Sequence, residues 1–394
     1  MPDLMLLALL LSAVAIGWWL GRRDSGRHLP ESRQPALSRD YFVGLNYLLN
    51  EQPDRAIETF VAALEVNSDT IETHIALGNL FRSRGEADRA VKIHQNLLAR
   101  PTLTTLQSHT VQLELSRDFL HLGLLDRAER LLHALVRDAL DDSIRQSAKR
   151  LLIGLLEREK EWQAALEVAQ PVMVRQHEDI RRAAAHWLCE LAELDRSSSS
   201  PAMARKRLRQ ALSIDASCVR ANWLLSRLEH DTGHYKAEIR LLKRVPDQDQ
   251  AFTPMVLEPM RDAYRMLQDP EGLEKTLRQL VERTPSISAV IMLAECIQQR
   301  EGSRAAATFV SEQLNREPSL RGIDYLMDLY QSELGRGDDG RHMVLLKRHT
   351  QALLETTPRY CCQRCGFDGQ QLHWQCPRCQ TWGSTRPITG IKGD

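Results

Sequence analysis

A recurrence with a spacing of 34 residues constrains this chain more than any other feature. Val43-Gly44-x-x-Tyr47 followed by Ala56-x-x-x-Phe60-x-x-Ala63 returns as Leu77-Gly78-x-x-Phe81 followed by Ala90-x-x-x-His94-x-x-Leu97, and Gly44 to Gly78 is 34 residues. Such self-similarity means that one supersecondary unit repeats, and that each unit buries its apolar face only by stacking on its neighbours. Small residues beside large apolar ones at helical spacing suit two antiparallel helices in close approach. Taking the small residue of the second helix as marker places it at Ala56, Ala90, Ala128, Ala165, Ala204, Ala237, Leu273 and Ala306, at intervals of 34, 38, 37, 39, 33, 36 and 33. Three markers close an Asp-Arg-Ala run: Asp54-Arg55-Ala56, Asp88-Arg89-Ala90 and Asp126-Arg127-Ala128. Composition agrees, since Gly 20 and Pro 16 make about 9% of the chain, below the roughly 12% of average usage, and a turn-rich all-β protein needs more of both.

The period resembles the tetratricopeptide repeat, which implies an all-α superhelix of about eight or nine repeats over residues 40–356, with a groove that binds proteins or peptides. Pro285 and Pro318 stand where that family favours a helix-ending proline. Ser197 to Pro201 is too serine-rich to continue a helix and reads as a loop. Leu273 occupies a small-residue position, so its helix pair must open or shift. Gly335 to Gly340 breaks the pattern, and a last helix from about His342 to Thr356 stops before Pro358. The basic run Arg205-Lys206-Arg207-x-Arg209 suits either an acidic partner, lipid headgroups or a solvated helix face. Cys189, Cys218 and Cys296 read as small core hydrophobes. None of the 13 histidines forms a His-Glu-x-x-His pair, and the chain has no Gly-rich phosphate loop, nucleophile elbow or paired catalytic carboxylates, so it does not read as an enzyme. Lys+Arg 52 against Asp+Glu 52 excludes a general nucleic-acid binder, which needs a basic surface to displace counterions.

Leu4 to Leu20 is uncharged and ends in Gly21-Arg22-Arg23, so residues 1–21 are expected to form a transmembrane anchor. Trp18 and Trp19 sit where an interfacial aromatic belt belongs, and a cleaved signal peptide would carry an early basic residue and a small-x-small site instead. Arg22, Arg23, Arg27, Arg33 and Arg39 follow the segment and no Lys or Arg precedes it, which orients the rest of the chain to the cytoplasm. Residues 22–39 read as a polar tether.

Five of eight cysteines crowd the other end of the sequence. Cys362-Gln-Arg-Cys365 and Cys376-Pro-Arg-Cys379 are paired Cys-x-x-Cys turns, and four thiolates make a closed tetrahedral site for one ion, zinc or iron. Residues 358–394 are too few for an adequate apolar core, so metal binding is expected to supply much of the module's folding free energy, with Phe367, Trp374 and Trp382 as a small core or a contact with the last repeats. Cys361 is spaced one residue too far from Cys365 for a ligand.

The anchor ending in Gly-Trp-Trp-Leu-Gly-Arg-Arg, Leu37-Ser38-Arg39-Asp40-Tyr41, the run Gly78 to Glu86 and the cysteine turns with His373-Trp374 together resemble the lipopolysaccharide assembly protein B family of Gram-negative bacteria. The resemblance covers essentially the whole chain. It implies a rubredoxin-like module whose ligands are Cys362, Cys365, Cys376 and Cys379, although Gln380 stands where glycine usually follows the second turn. It further implies an inner-membrane adaptor that promotes degradation of the deacetylase LpxC by the protease FtsH and contacts other lipopolysaccharide enzymes. A generic membrane-anchored scaffold and an electron-transfer protein remain the alternatives, and homo-oligomerisation is left open.

Overall fold

The computed structural model describes residues 18–19, 39–50, 52, 55–60, 71–198, 200–284, 286–334, 338–391 and 393–394. From Arg39 to Thr356 these residues form successive helix pairs, and a three-stranded sheet follows. One turn recurs at the end of the first helix of a pair. Gly85, Gly123, Lys160, Gly233 and Gln268 all have positive φ, from 55° to 84°. The amide after each closes back on the helix: Glu86 donates to the Phe81 carbonyl, Leu124 to Phe119, Glu161 to Leu156, His234 to Glu229 and Asp269 to Tyr264, at 2.8–3.1 Å. This closure satisfies carbonyls that the helix end would strand, and its left-handed residue favours glycine. Lys160 and Gln268 adopt it at a cost of about 1 kcal/mol each.

Five residues beyond these turns stands the residue that meets the first helix. Ala90, Ala128 and Ala165 are fully buried there, as are the markers Ala56, Ala204 and Ala306. The same count from Gly233 reaches Glu238, not Ala237, so the marker expected at Ala237 is displaced by one. Glu238 is buried and its carboxylate lies 2.9 Å from His230 Nδ1, while Ala237 is only half-buried. A paired carboxylate takes the place that the repeat interval assigns to the neighbouring alanine. At Leu273 the close approach moves to Gly272, where a Cβ would stand 2.8 Å from the Tyr264 ring, and Leu273 itself is buried. Gly44 and Gly78 admit rings from the second helix: a Cβ on either would lie 2.5 Å from Phe60 or His94.

Three boundaries differ from expectation. Ser197 still closes the helix Glu178–Ser197, and Pro201 opens Pro201–Ile214, because proline is well suited to a first helical turn; the connection is shorter than the serine run. The last helix is Asp338–Thr356, opening four residues before His342. Residues 335–337 lie outside the described residues, as do the predicted anchor and tether except for Trp18 and Trp19, which are helical, and Arg39, which opens the helix Arg39–Leu49. No helix among the described residues is long and apolar enough to cross a membrane.

The chain divides into two compact units at Leu151–Leu152, inside the helix Asp142–Glu159. In the first, Phe60, Leu77, Leu80 and Phe81 pack around Ala56 and Ala90. Arg82 on Ile71–Ser83 reaches Glu114 and Asp118 on Thr105–His121, each at 2.7 Å, and Asp118 also holds His94 Nδ1 at 2.5 Å. In the second unit Arg220 reaches Glu190 at 2.7 Å and Glu193, and Arg261 reaches Glu295 at 2.7 Å. These pairs stitch neighbouring first helices, and at Asp118 and Arg220, both buried, removing the partner would strand a desolvated charge, while Arg261 and Glu295 stay partly exposed to water. Cys189 and Cys218 are buried and Cys296 half-buried.

Candidate metal centre and its docking face

The cysteine module is built from β1 (Tyr360–Cys362), β2 (Asp368–Gly369) and β3 (Thr385–Pro387), antiparallel in the order β2-β1-β3. Register pairs Cys361 with Asp368 and Arg386, and Cys362 with Thr385. Two equivalent turns carry the thiols. Cys362 N–H donates to Phe367 O at 2.7 Å and Gly366 N–H to Cys362 O at 3.0 Å; Cys376 N–H donates to Thr381 O at 3.0 Å and Gln380 N–H to Cys376 O at 2.8 Å. Gly366 (φ 70°) and Gln380 (φ 57°) occupy the same left-handed position. Gln380 therefore adopts the glycine conformation, helped by its side-chain amide donating to Pro377 O at 2.9 Å.

These turns bring the sulfurs of Cys362, Cys365, Cys376 and Cys379 within 4.8 Å of one another. Cys362 to Cys379 is 3.7 Å and Cys365 to Cys376 is 3.6 Å. A tetrahedral ion with metal–sulfur bonds of about 2.3 Å requires sulfur separations of about 3.8 Å, while a disulfide requires about 2.05 Å. The four cysteines are positioned to bind one metal ion. Burial opposes ionisation of Cys362, but the Ser384 hydroxyl and the Cys365 and Arg364 amides overcome it and bring the thiol down to about 6. Burial also opposes ionisation of Cys379, and the Thr381 hydroxyl and amide lower it. The Phe367 amide favours the Cys365 thiolate, but burial and its three sulfur neighbours push it up to about 12. A cluster that gathers negative charge and holds back its last proton is suited to a cation, which would release that proton. Four thiolates leave no open position for a substrate, so the ion would act as a structural clamp. Cys361 lies outside this group, its sulfur 3.7 Å from the Cys362 carbonyl.

Trp374 and Trp382 turn away from the module onto the repeats, meeting first helices, the start of Trp162–Gln176 and the 3-10 turn Gln250–Phe252. Trp382 Nε1 donates to Glu157 Oε1 at 2.5 Å, where Trp187 Nε1 also donates at 2.7 Å. Its ring stacks on His186 with centroids 5.2 Å apart and meets Trp162 edge-on at 5.8 Å. Trp374 stacks on Phe252 at 5.7 Å, lies 6.4 Å from Trp223, and has the Arg220 guanidinium 5.9 Å above it. Around this patch, Arg386 pairs with Asp249 at 3.0 Å, Ile391 O accepts from Leu320 N–H at 3.1 Å, and Asp394 accepts from Ser286 Oγ at 2.6 Å and Ser288 N–H at 2.9 Å. Phe367 instead stays within the module, edge-on to His373 at 6.3 Å. Periodicity does not reveal Glu157, His186 or Arg220, because each sits on an ordinary helical stretch, nor Phe252, which closes the short 3-10 turn Gln250–Phe252; the available signal is the tryptophan density of Trp162, Trp187 and Trp223.

Burial, with Arg220 and Arg182 nearby, pushes His186 down to about 3, so the docked imidazole is neutral. Burial raises the Glu157 carboxyl, and the two indole N–H groups counter that. A released His186 takes up a proton below about pH 6.5 that the docked one refuses, so its share of docking should weaken as pH falls below 6.5, by up to about 1.4 kcal/mol per unit, until protonation of the raised Glu157 carboxyl acts in the opposite sense. Hydrogen exchange of Glu178–Ser197 followed from pH 7 to pH 5.5, with metal content measured at each point, should show this loosening. In His186→Phe the slope should flatten, and an unchanged slope would reject this origin.

Residues 360–387 match the family described as Rubredoxin metal binding domain. Lipopolysaccharide assembly protein B of Escherichia coli K12 is 34% identical over 99% of this chain and 99% of its own length, and the Haemophilus influenzae protein of the same name is 32% identical over 98% of each. Among solved structures, the TPR domain of P58(IPK) is similar over 81% of this chain and 99% of that one, at 14% identity and a TM-score of 0.26. The collinear identity across the whole chain, together with the cysteine module, leads to one conclusion: the chain belongs to the lipopolysaccharide assembly protein B family.

Proposed function

We propose that this chain is a non-enzymatic adaptor of lipopolysaccharide assembly at the inner membrane, which promotes FtsH-dependent degradation of the deacetylase LpxC. The observation that carries the reading is full-length identity of 34% to a protein named for lipopolysaccharide assembly. Residues 1–21 anchor the chain and residues 22–39 tether it, with residues 40–394 facing the cytoplasm. The helix pairs over residues 40–356 offer extended faces for protein partners, LpxC and other lipopolysaccharide enzymes among them. The module over residues 358–394, holding zinc or iron through Cys362, Cys365, Cys376 and Cys379, clamps the first-helix face and sets its shape. The LpxC half-life in cells depleted of this protein tests the reading. Depletion should lengthen it, an intact anchored copy should restore it, and a Cys376→Ser copy should not. An unchanged half-life on depletion would favour a scaffold unconnected to proteolysis.

A further inference from the structure

We propose that the cleft between the helices Trp162–Gln176 and Pro201–Ile214 is a docking groove for an acidic peptide segment of a partner protein. The cleft has a volume of about 830 Å³, and one of its walls is broken where Gln170 and Pro171 line it. Pro171, in the middle of Trp162–Gln176, withholds the N–H that would close on the Glu167 carbonyl, and Gln170 takes φ 47°, ψ 154°, so the helix kinks there. Leu166, Val174 and Leu188 provide apolar lining, and Met203, 45% exposed, stands beside them.

Charge selects the occupant. Arg175, Arg181 and Lys206 line the cleft with no carboxylate partner among the described residues, and Glu167 is the one carboxylate in the lining. Their neighbours are not so placed: Arg205 is tied to Glu229 at 2.9 Å and Arg207 to Asp195 at 2.6 Å. A chain with balanced charges thus leaves three cations together around an apolar lining, the complement of carboxylates flanking an apolar anchor. Gln210 adds both a donor and an acceptor and the Ser213 hydroxyl, which donates to Gln210 O, can still accept, a mixture that suits an extended peptide backbone better than a phospholipid headgroup, rich in acceptors. A recessed cleft also fits a chain better than a flat bilayer. The helix Glu178–Ser197 serves both faces: His186 meets the metal module, while Arg181 and Leu188 meet the cleft, so the two sites can be filled together. The site stands independently of which enzyme the adaptor handles.

The test uses the full chain in detergent and a short fluorescein-labelled peptide of Glu-Leu-Gly repeats, read by anisotropy. Binding should saturate and weaken about tenfold in Arg181→Glu/Lys206→Glu, corresponding to roughly 1.4 kcal/mol. Lys206→Glu alone, at an exposed side chain that does not threaten folding, should weaken it by about threefold. Arg209→Glu, exposed on the same helix but outside the cleft, should leave binding unchanged. Absence of saturable binding, equal binding of a Lys-Leu-Gly peptide, or an equal loss in Arg209→Glu would overturn the proposal. Displacement of the peptide by phosphatidylglycerol vesicles would do so too, assigning the cations to anionic lipid.

Discussion

Cys376→Ser should lose its metal and unfold residues 360–387 while the helix pairs stay folded. Cys376 is fully buried, and its sulfur lies 3.6 Å from that of Cys365, so a hydroxyl there removes one corner of the tetrahedron at a position that water cannot fill. The module's strands are two or three residues long, and a sheet this small has little stability of its own. Metal binding to comparable sites contributes about 10–16 kcal/mol of apparent folding free energy, far more than any other single interaction in the module. Elemental analysis after dialysis against a chelator should give one equivalent for the native chain and for Cys361→Ser, whose thiol lies outside the cluster, and well below one for Cys376→Ser. Retention of a full equivalent by Cys376→Ser would reject the four-thiolate site.

Trp374→Ala should separate docking from metal binding. The indole contributes nothing to the sulfur cluster, yet its ring bridges three first-helix regions through His186, Trp223 and Phe252. Truncating a large aromatic costs about 3–5 kcal/mol when fully buried, and Trp374 is half-buried, so about 2–3 kcal/mol of docking energy is expected to go. Amide exchange should speed up in Glu178–Ser197 and Val219–Asp231 with the metal equivalent unchanged. If exchange stayed slow, the contacts through Trp382, Arg386 and Asp394 would suffice to hold the module, and the aromatic stack would be incidental to docking.

The helical repeat was legible because close approach of two helices restricts residue size at a fixed interval. Ala90, Ala128 and Ala165 therefore announce themselves, and the turn five residues earlier repeats with them. Residue size alone is no guide at two positions. At Glu238 a long side chain fits the same interface because its carboxylate finds His230, and the adjacent Ala237 drew the marker by one residue. At Leu273 the needed space came from the preceding Gly272. Composition makes the serine run a loop, yet Ser197 ends one helix within hydrogen-bonding reach of the Leu194 carbonyl, at 2.7 Å. Pro201 then starts the next at the position where its missing N–H costs nothing.

The sequence by itself determined which four cysteines gather at one point, because two Cys-x-x-Cys turns each hold a thiol pair through local backbone geometry. It determined the stacked helix pairs for a related reason: their signal is periodic and local. Only the tertiary structure decided where the module sits. Glu157 and Trp382 are 225 positions apart, and Asp394 lies 106 positions from Ser288, so no spacing rule connects them. A buried carboxylate shared by two indoles, an imidazole kept neutral by burial and an aromatic stack drawn from several helices gain their meaning from desolvation in one place. That desolvation exists only after the chain has folded.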